Sequence, residues 1–411
     1  MPTSCPRMEY NKSMTATIGF VACSKTKSSQ RLPAGAIYTS PLFRKSLLAA
    51  IDRCDKVYIL SAKHGVIDRN EPIEPYDLTL KRMKQAERAA WGEKTGLQLK
   101  GLLNRGDRAV MYCGQDYLTP LRSTLADLEV GLEKPLGDLS LGSRLSLLKK
   151  LNGEAGLNAM AKPFFSLMRE VWQFQEKGRC IGETNGRQDW PKRGVYFILS
   201  ANSALQRGFP RIIRVGTHAV SQGSQTTLWN RLSTHRGTEA GLGSHRSSIF
   251  RLHVGRAWAK CAIDEDWPDS WAQGQTAPAN VRKGEELLER RVSELIGAMR
   301  VIWLNVCDEP SAESERAYLE RNSIGLLSRL GLLGGVGEAD WLGHFSSDWR
   351  IASSGLWNLN HIFRRPDPDF IDRLAIAVDR TIGNPSRNED HRDHSHKIHK
   401  QLRLLKAEDS K

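Results

Sequence analysis

Two groups of residues in this 411-residue chain have the types and spacing for chemistry on nucleic acid. In the C-terminal half, Arg231 and His235 lie four apart, so on a helix they share one face. A guanidinium holds a phosphate oxygen in fork geometry. An imidazole or a phenol takes a proton from water, and a carboxylate nearby holds a divalent cation. Together these are the parts needed for phosphodiester hydrolysis. In the N-terminal half a denser polar series runs through Cys23, Ser24, Lys25 and Lys27, then Tyr38 and Ser40, then Ser61, Lys63 and His64, then Tyr76 and Asp77. Hydroxyls, ammonium groups and loop amides of this kind suit a phosphate. Tyr76 and Asp77 could meet a base edge or a glycosidic carbon. Cys23 fits a small buried thiol better than a nucleophile.

These side chains need a scaffold, and the apolar runs supply one. Short strands are predicted at 17–22, 57–61 and 108–113, alternating with helices at 41–53 and 80–104. That alternation predicts an α/β domain with a mostly parallel sheet. Ligands of such sheets bind at the C-terminal strand ends, where Cys23–Lys27 and Ser61–Gly65 fall. A helix at 161–176 follows, and the polar, glycine-containing stretch 177–192 is placed as a linker. The second unit reads as strands at 194–199, 211–216 and 301–306 with helices at 227–235, 285–300 and 313–330. This is an α+β order around a small antiparallel sheet. The resulting divisions are 15–152, a helical connector and linker at 153–192, 193–375, and a polar tail over 384–411.

The net charge of +14 favours polyanionic partners, with DNA first. No apolar run is long enough for a membrane span, and the N-terminus lacks an apolar signal core. Membrane association is therefore not expected, and the cytoplasm is the expected location. The seven scattered cysteines contain no Cys-x-x-Cys pair, which speaks against a zinc ribbon or a disulfide framework. The four tail histidines, His391, His394, His396 and His399, read as a solvated tail rather than a metal site.

Gly194-Val195-Tyr196 on one strand, Arg214-Val215-Gly216 on the next, Arg231 and His235 on the following helix, and Arg316 to Asn322 on a later helix resemble the GIY-YIG nuclease superfamily. The stretch Trp341 to His361 is similar to an extension in one bacterial branch of it. The resemblance implies that Tyr196 or His235 activates the attacking water, that Arg231 stabilises the pentacovalent phosphate, and that Glu320 holds one Mg²⁺ or Mn²⁺. Three features depart from the pattern, the first being the long connection from Tyr196 to Arg214. Arg214 stands where the family has a tyrosine, and the asparagine that follows the glutamate has only Asn322 and Asn358 as candidates. The N-terminal series resembles an uncharacterised domain of phage and bacterial proteins, distantly similar to the YaaA peroxide-stress family, which implies DNA binding or nucleobase chemistry. The expected function is a metal-dependent DNA endonuclease with an N-terminal domain that recognises, and could excise, a modified base, in a setting of defence against foreign DNA. The alternative is a DNA glycosylase or base-modifying enzyme whose GIY-YIG-like domain only binds DNA. A homodimer is left open.

Overall fold

The computed structural model describes residues 15–201, 209–262, 267–335 and 340–383. The apolar run Thr17–Ala22 forms β1, the centre of the first sheet. Ile18 and Phe20 point to one face and Val21 to the other, so both faces need cover. The helix Pro41–Arg53, α1, covers the Val21 face; its N-cap Ser40 accepts from the Phe43 N–H, and Pro41 fills the first helical position. The helix Gln85–Lys100, α2, covers the opposite face through Trp91 and Leu99. The remaining strands are β2 (Lys56–Ser61), β3 (Gly65–Ile67), β4 (Arg108–Tyr112) and β5 (Gly131–Glu133). They stand in the order β3-β2-β1-β4-β5, all parallel except β3, which turns back on β2. The helix Leu141–Leu151, α3, closes this unit against α1.

The second sheet is antiparallel throughout. Its strands are β6 (Arg179–Cys180), β7 (Gly194–Leu199), β8 (Ile212–Gly216) and β9 (Arg300–Asn305), in the order β8-β7-β9-β6. The helices α4 (Glu154–Phe174), α8 (Glu315–Gly334) and α9 (Phe370–Ile382) pack on the face carrying Val195, Phe197 and Leu304. The helices α5 (Leu228–Arg236), α6 (Ile249–Cys261) and α7 (Glu286–Gly297) pack on the face carrying Tyr196, Ile198 and Trp303. The free edge of β8 is covered by the segment after residue 354. Trp357 N–H donates to the Ile213 carbonyl at 2.7 Å, and the Asn358 amide makes both backbone bonds of Val215. That segment prolongs the sheet and removes an exposed edge.

The expected mostly parallel first sheet and small antiparallel second sheet are both found. The division at 153–192 needs correction. The stretch expected as a linker supplies β6, which pairs with Arg300 and Val301, and buries Ile181. The Arg179 guanidinium lies 4.8 Å from the centre of the Trp190 ring and 4.7 Å from that of Trp303. Two or three apolar anchors outweigh a polar, glycine-containing composition. The preceding helix α4 is likewise part of the second core rather than a connector. The tail from residue 384, with its histidines, lies outside the described residues.

The two units share a buried joint. Arg329 on α8 is fully buried and forks onto Asp52 of α1 with bonds of 2.8 and 2.7 Å, and donates also to the carbonyls of Phe363 and Asn152. Trp349 and Phe363 enter the N-terminal core beside it. Breaking such a pair leaves an uncompensated charge in the interior. Asp52→Ala is therefore expected to lower unfolding free energy by about 3–5 kcal/mol, and Asp52→Leu combined with Arg329→Met by less than that, both read by urea unfolding; a single mutant within experimental error of the parent would contradict the joint.

Candidate active site

Gly216 makes the site possible. It stands opposite Tyr196 in the β7–β8 ladder, and a Cβ there would fall 2.2 Å from the Tyr196 hydroxyl. Without that carbon the tyrosine ring crosses β8, and its hydroxyl comes to 2.8 Å from Nε2 of His235, in the last turn of α5. Both side chains are fully buried. On the other side of the ring, His235 Nδ1 is 2.7 Å from the hydroxyl of Ser248, the N-cap of α6. Burial, and then the nearby Arg214, Arg231 and Arg251, hold the imidazole well below its usual range, so it is neutral near pH 7. A neutral imidazole can take a proton from a phenol that is losing it to Nε2.

A buried network fixes the end of α5. Arg251 donates to the carbonyls of His235 and Arg236, which have no helical partner at the helix terminus. It is held by Glu289 of α7 at 3.0 and 2.6 Å, and Glu289 also accepts from the ring and backbone of His245. Burial would raise the Glu289 carboxyl, but these hydrogen bonds and the Arg251 charge hold it below the usual carboxylate range.

Glu320 arrives from α8. It accepts from the Thr217 N–H just beyond β8, and burial pushes its pKa up to about 7 against the opposing charges of Arg214 and Arg231. Arg231 therefore acts electrostatically on both His235 and Glu320, while its own guanidinium has no hydrogen-bond or ion-pair partner among the described residues. The loop bearing Thr217 is locked to the start of β7. The Thr217 hydroxyl donates to the Gly194 carbonyl, and the Gly194 N–H donates to His218 Nε2 at 3.2 Å. His218 is neutral in this role, with burial lowering its pKa to about 4. A partly buried carboxylate without an ion-pair partner suits a hard cation that keeps its own waters. No group of three or more acidic, His or Cys ligands occurs among the described residues, so such an ion would rely on Glu320, water and phosphate oxygens.

The four residues expected to act together in this half are thus brought together. The two asparagine candidates are not. Asn358 is spent on Val215, and Asn322 on the Tyr318 carbonyl and the Asp367 N–H. Ser248, His218 and Arg214 went unnoticed as site residues. Ser248 caps a helix, Ile249–Cys261, that lies between the helices expected at 227–235 and 285–300, whereas Arg214 and His218 each stand two residues from Gly216.

In the N-terminal unit the polar series gathers around Tyr76 at the C-terminal ends of β1 and β2. The Tyr76 hydroxyl is 2.9 Å from that of Tyr38 and 2.8 Å from that of Ser61. Ser61 already accepts from the Lys63 and His64 N–H groups, so its own proton goes to Tyr76. Lys27 Nζ lies 4.1 Å from the centre of the Tyr76 ring, and Lys63 and His64 approach the same ring. Burial keeps Tyr38 and Tyr76 protonated far above neutral pH. The Cys23 sulfur is 3.1 Å from the hydroxyl of Tyr117, a residue absent from the expected set, and faces a cleft of about 410 Å³. Ser24 is turned onto the Thr26 carbonyl, Ser40 is used as a helix cap, and Lys25 is exposed. Asp77 is exposed and pairs with Arg82 at 3.8 Å, outside this hydrogen-bonded cluster.

Residues 157–383 match the GIY-YIG domain model, which covers more than half of the chain. The protein therefore belongs to the GIY-YIG family, and its C-terminal unit is a nuclease-type, phosphodiester-hydrolysing domain. Residues 18–150 match DUF6884, a family of unknown function. No curated protein and no solved structure matches the chain. No helix among the described residues is long and apolar enough to cross a membrane. A direct check of the site is Gly216→Ala. The added methyl must expel the Tyr196 hydroxyl from His235, so nuclease activity should fall by at least about 10²-fold, the contribution of a positioned proton acceptor, while circular dichroism stays unchanged. Parental activity in a folded Gly216→Ala protein would refute this geometry.

Proposed function

We propose that the protein is a metal-dependent DNA endonuclease, with Tyr196, His235, Arg231 and Glu320 as its working residues. The observation that carries this reading is the Tyr196–His235 hydrogen bond beside a carboxylate and a guanidinium that have no ion-pair partners. The Tyr196 hydroxyl takes a proton from the attacking water as its own proton passes to Nε2 of His235. The water oxygen bonds to phosphorus, and the opposite P–O bond breaks. Arg231 stabilises the charge that builds on the non-bridging oxygens. Glu320 would hold Mg²⁺ or Mn²⁺, which supplies charge stabilisation at the phosphate when bound. Glu320→Gln should abolish cleavage of plasmid DNA with either metal while leaving the unfolding midpoint unchanged, and Arg231→Ala should cost about 10²-fold or more. Full activity in either variant would overturn the assignment.

For the N-terminal unit the reading is DNA or modified-base recognition, supported by the cluster of Lys27, Lys63 and protonated tyrosines at the strand ends. The resemblance of the N-terminal series to phage and bacterial proteins extends this reading to base excision and to defence against foreign DNA. Lys27→Met with Lys63→Met should weaken binding of the full chain to duplex DNA about tenfold in the absence of metal, since each lost phosphate contact removes counterion release. Unchanged affinity, measured by fluorescence anisotropy, would rule out DNA as the ligand of this cluster.

A further inference from the structure

Four arginines are buried among the described residues: Arg214, Arg251, Arg316 and Arg329. Three of them meet a carboxylate. Arg251 reaches Glu289 at 2.6 Å, Arg316 reaches Asp308 at 3.0 Å, and Arg329 reaches Asp52 at 2.7 Å. Arg214 forms no ion pair among the described residues, although it is only 5% exposed. One terminal nitrogen donates to the Trp357 carbonyl at 2.8 Å, the guanidinium lies 4.9 Å from the centre of the Phe250 ring, and Nε has no partner. A desolvated cation with a single neutral acceptor is costly, and a residue of similar volume without charge would serve packing better. Such an arrangement suits a further anion beside the Glu320 carboxylate, which acts on Arg214 without pairing with it.

The position of Arg214 indicates which anion. It lies two residues before Gly216 on β8, so both face the side of the sheet on which Tyr196 crosses to His235. Its charge is felt by His235 and by Glu320, as is that of Arg231. Glu320 itself forms no ion pair with either arginine. Two arginines without carboxylate partners therefore approach the same carboxylate and the same proton acceptor from β8 and from α5. We propose that Arg214 is a catalytic residue of the nuclease centre, binding the scissile phosphodiester together with Arg231. The inference rests on the nuclease reading given above. A tyrosine at this place could only donate one hydrogen bond, whereas a guanidinium adds a full charge and a planar fork that matches two phosphate oxygens.

The test uses the full-length chain with Arg214→Met, which keeps an unbranched stem of similar length. The expected result is a loss of plasmid cleavage of about 10²-fold with an unfolding midpoint equal to or above that of the parent. In metal-free buffer, the slope of log affinity against log salt for a short duplex should become shallower by about 0.9, one phosphate contact. Should Arg214→Met fail to fold, Arg214→Gln, which keeps a donor for the Trp357 carbonyl, is measured in its place with the same expectations. A folded neutral variant with parental cleavage, or with the parental salt slope, overturns the proposal. Glu320→Gln separates the two readings. If the parent cuts DNA and Glu320→Gln does not, the nuclease reading stands whatever Arg214 does. If the parent does not cut at all, that reading fails, and the salt slope still reports on Arg214.

Discussion

The Tyr196 hydroxyl meets His235 only because residue 216 has no side chain. This close approach of a ring to a backbone sets the spacing of β7 and β8 at the site, and the surrounding elements are arranged to preserve it. The free edge of β8 is held by Trp357 and Asn358, so the strand cannot slide away from the ring. The loop beyond Gly216 is tied to Gly194 at the start of β7, which places the Thr217 N–H on Glu320. The imidazole is gripped from behind by Ser248, and the helix end that carries it is capped by Arg251. The bonds of Asn358, His218, Ser248 and Arg251 lie in the interior, where an unmet donor or acceptor costs more than the bond contributes when made. The geometry is thereby held within narrow limits.

Charge is distributed with the same economy. Three of the four buried arginines are matched by a carboxylate and act as struts, holding α5 to α7, the loop at 308 to α8, and α8 to α1. Among the described residues Arg214 and Arg231 have no such partner, and both act on Glu320, a carboxylate that burial pushes towards neutrality. A site built this way is electropositive while empty. Burial first, and that field with it, suppresses protonation of His235.

The joint between the units has a further consequence. The helix α8 carries Glu320 near its start and Arg329 lower down, and Arg329 is forked onto Asp52 of the N-terminal unit. The two parts are held against one another through buried surface and a buried ion pair, not through a tether. The helix bearing the Glu320 carboxylate is thereby fixed to α1 of the N-terminal unit at Arg329.

The sequence alone determined much of this protein. The alternation of short apolar strands with amphipathic helices was enough for both sheets, because burying two faces demands continuous apolar runs and burying one stripe demands a 3.6-residue period. The spacing of Arg231 and His235 likewise placed them together, since four residues make one helical turn. Tertiary structure decided what lies between distant segments. Polar residues 177–192 look like a linker until Ile181 and Trp190 find their pockets, and Asn358 looks like a site residue until it bonds an edge strand. Arg214 resembles any other strand arginine until the other three buried arginines are seen to have carboxylates. Burial and partnership are properties of the packed chain, and a local pattern carries no record of which distant group will come within 3 Å.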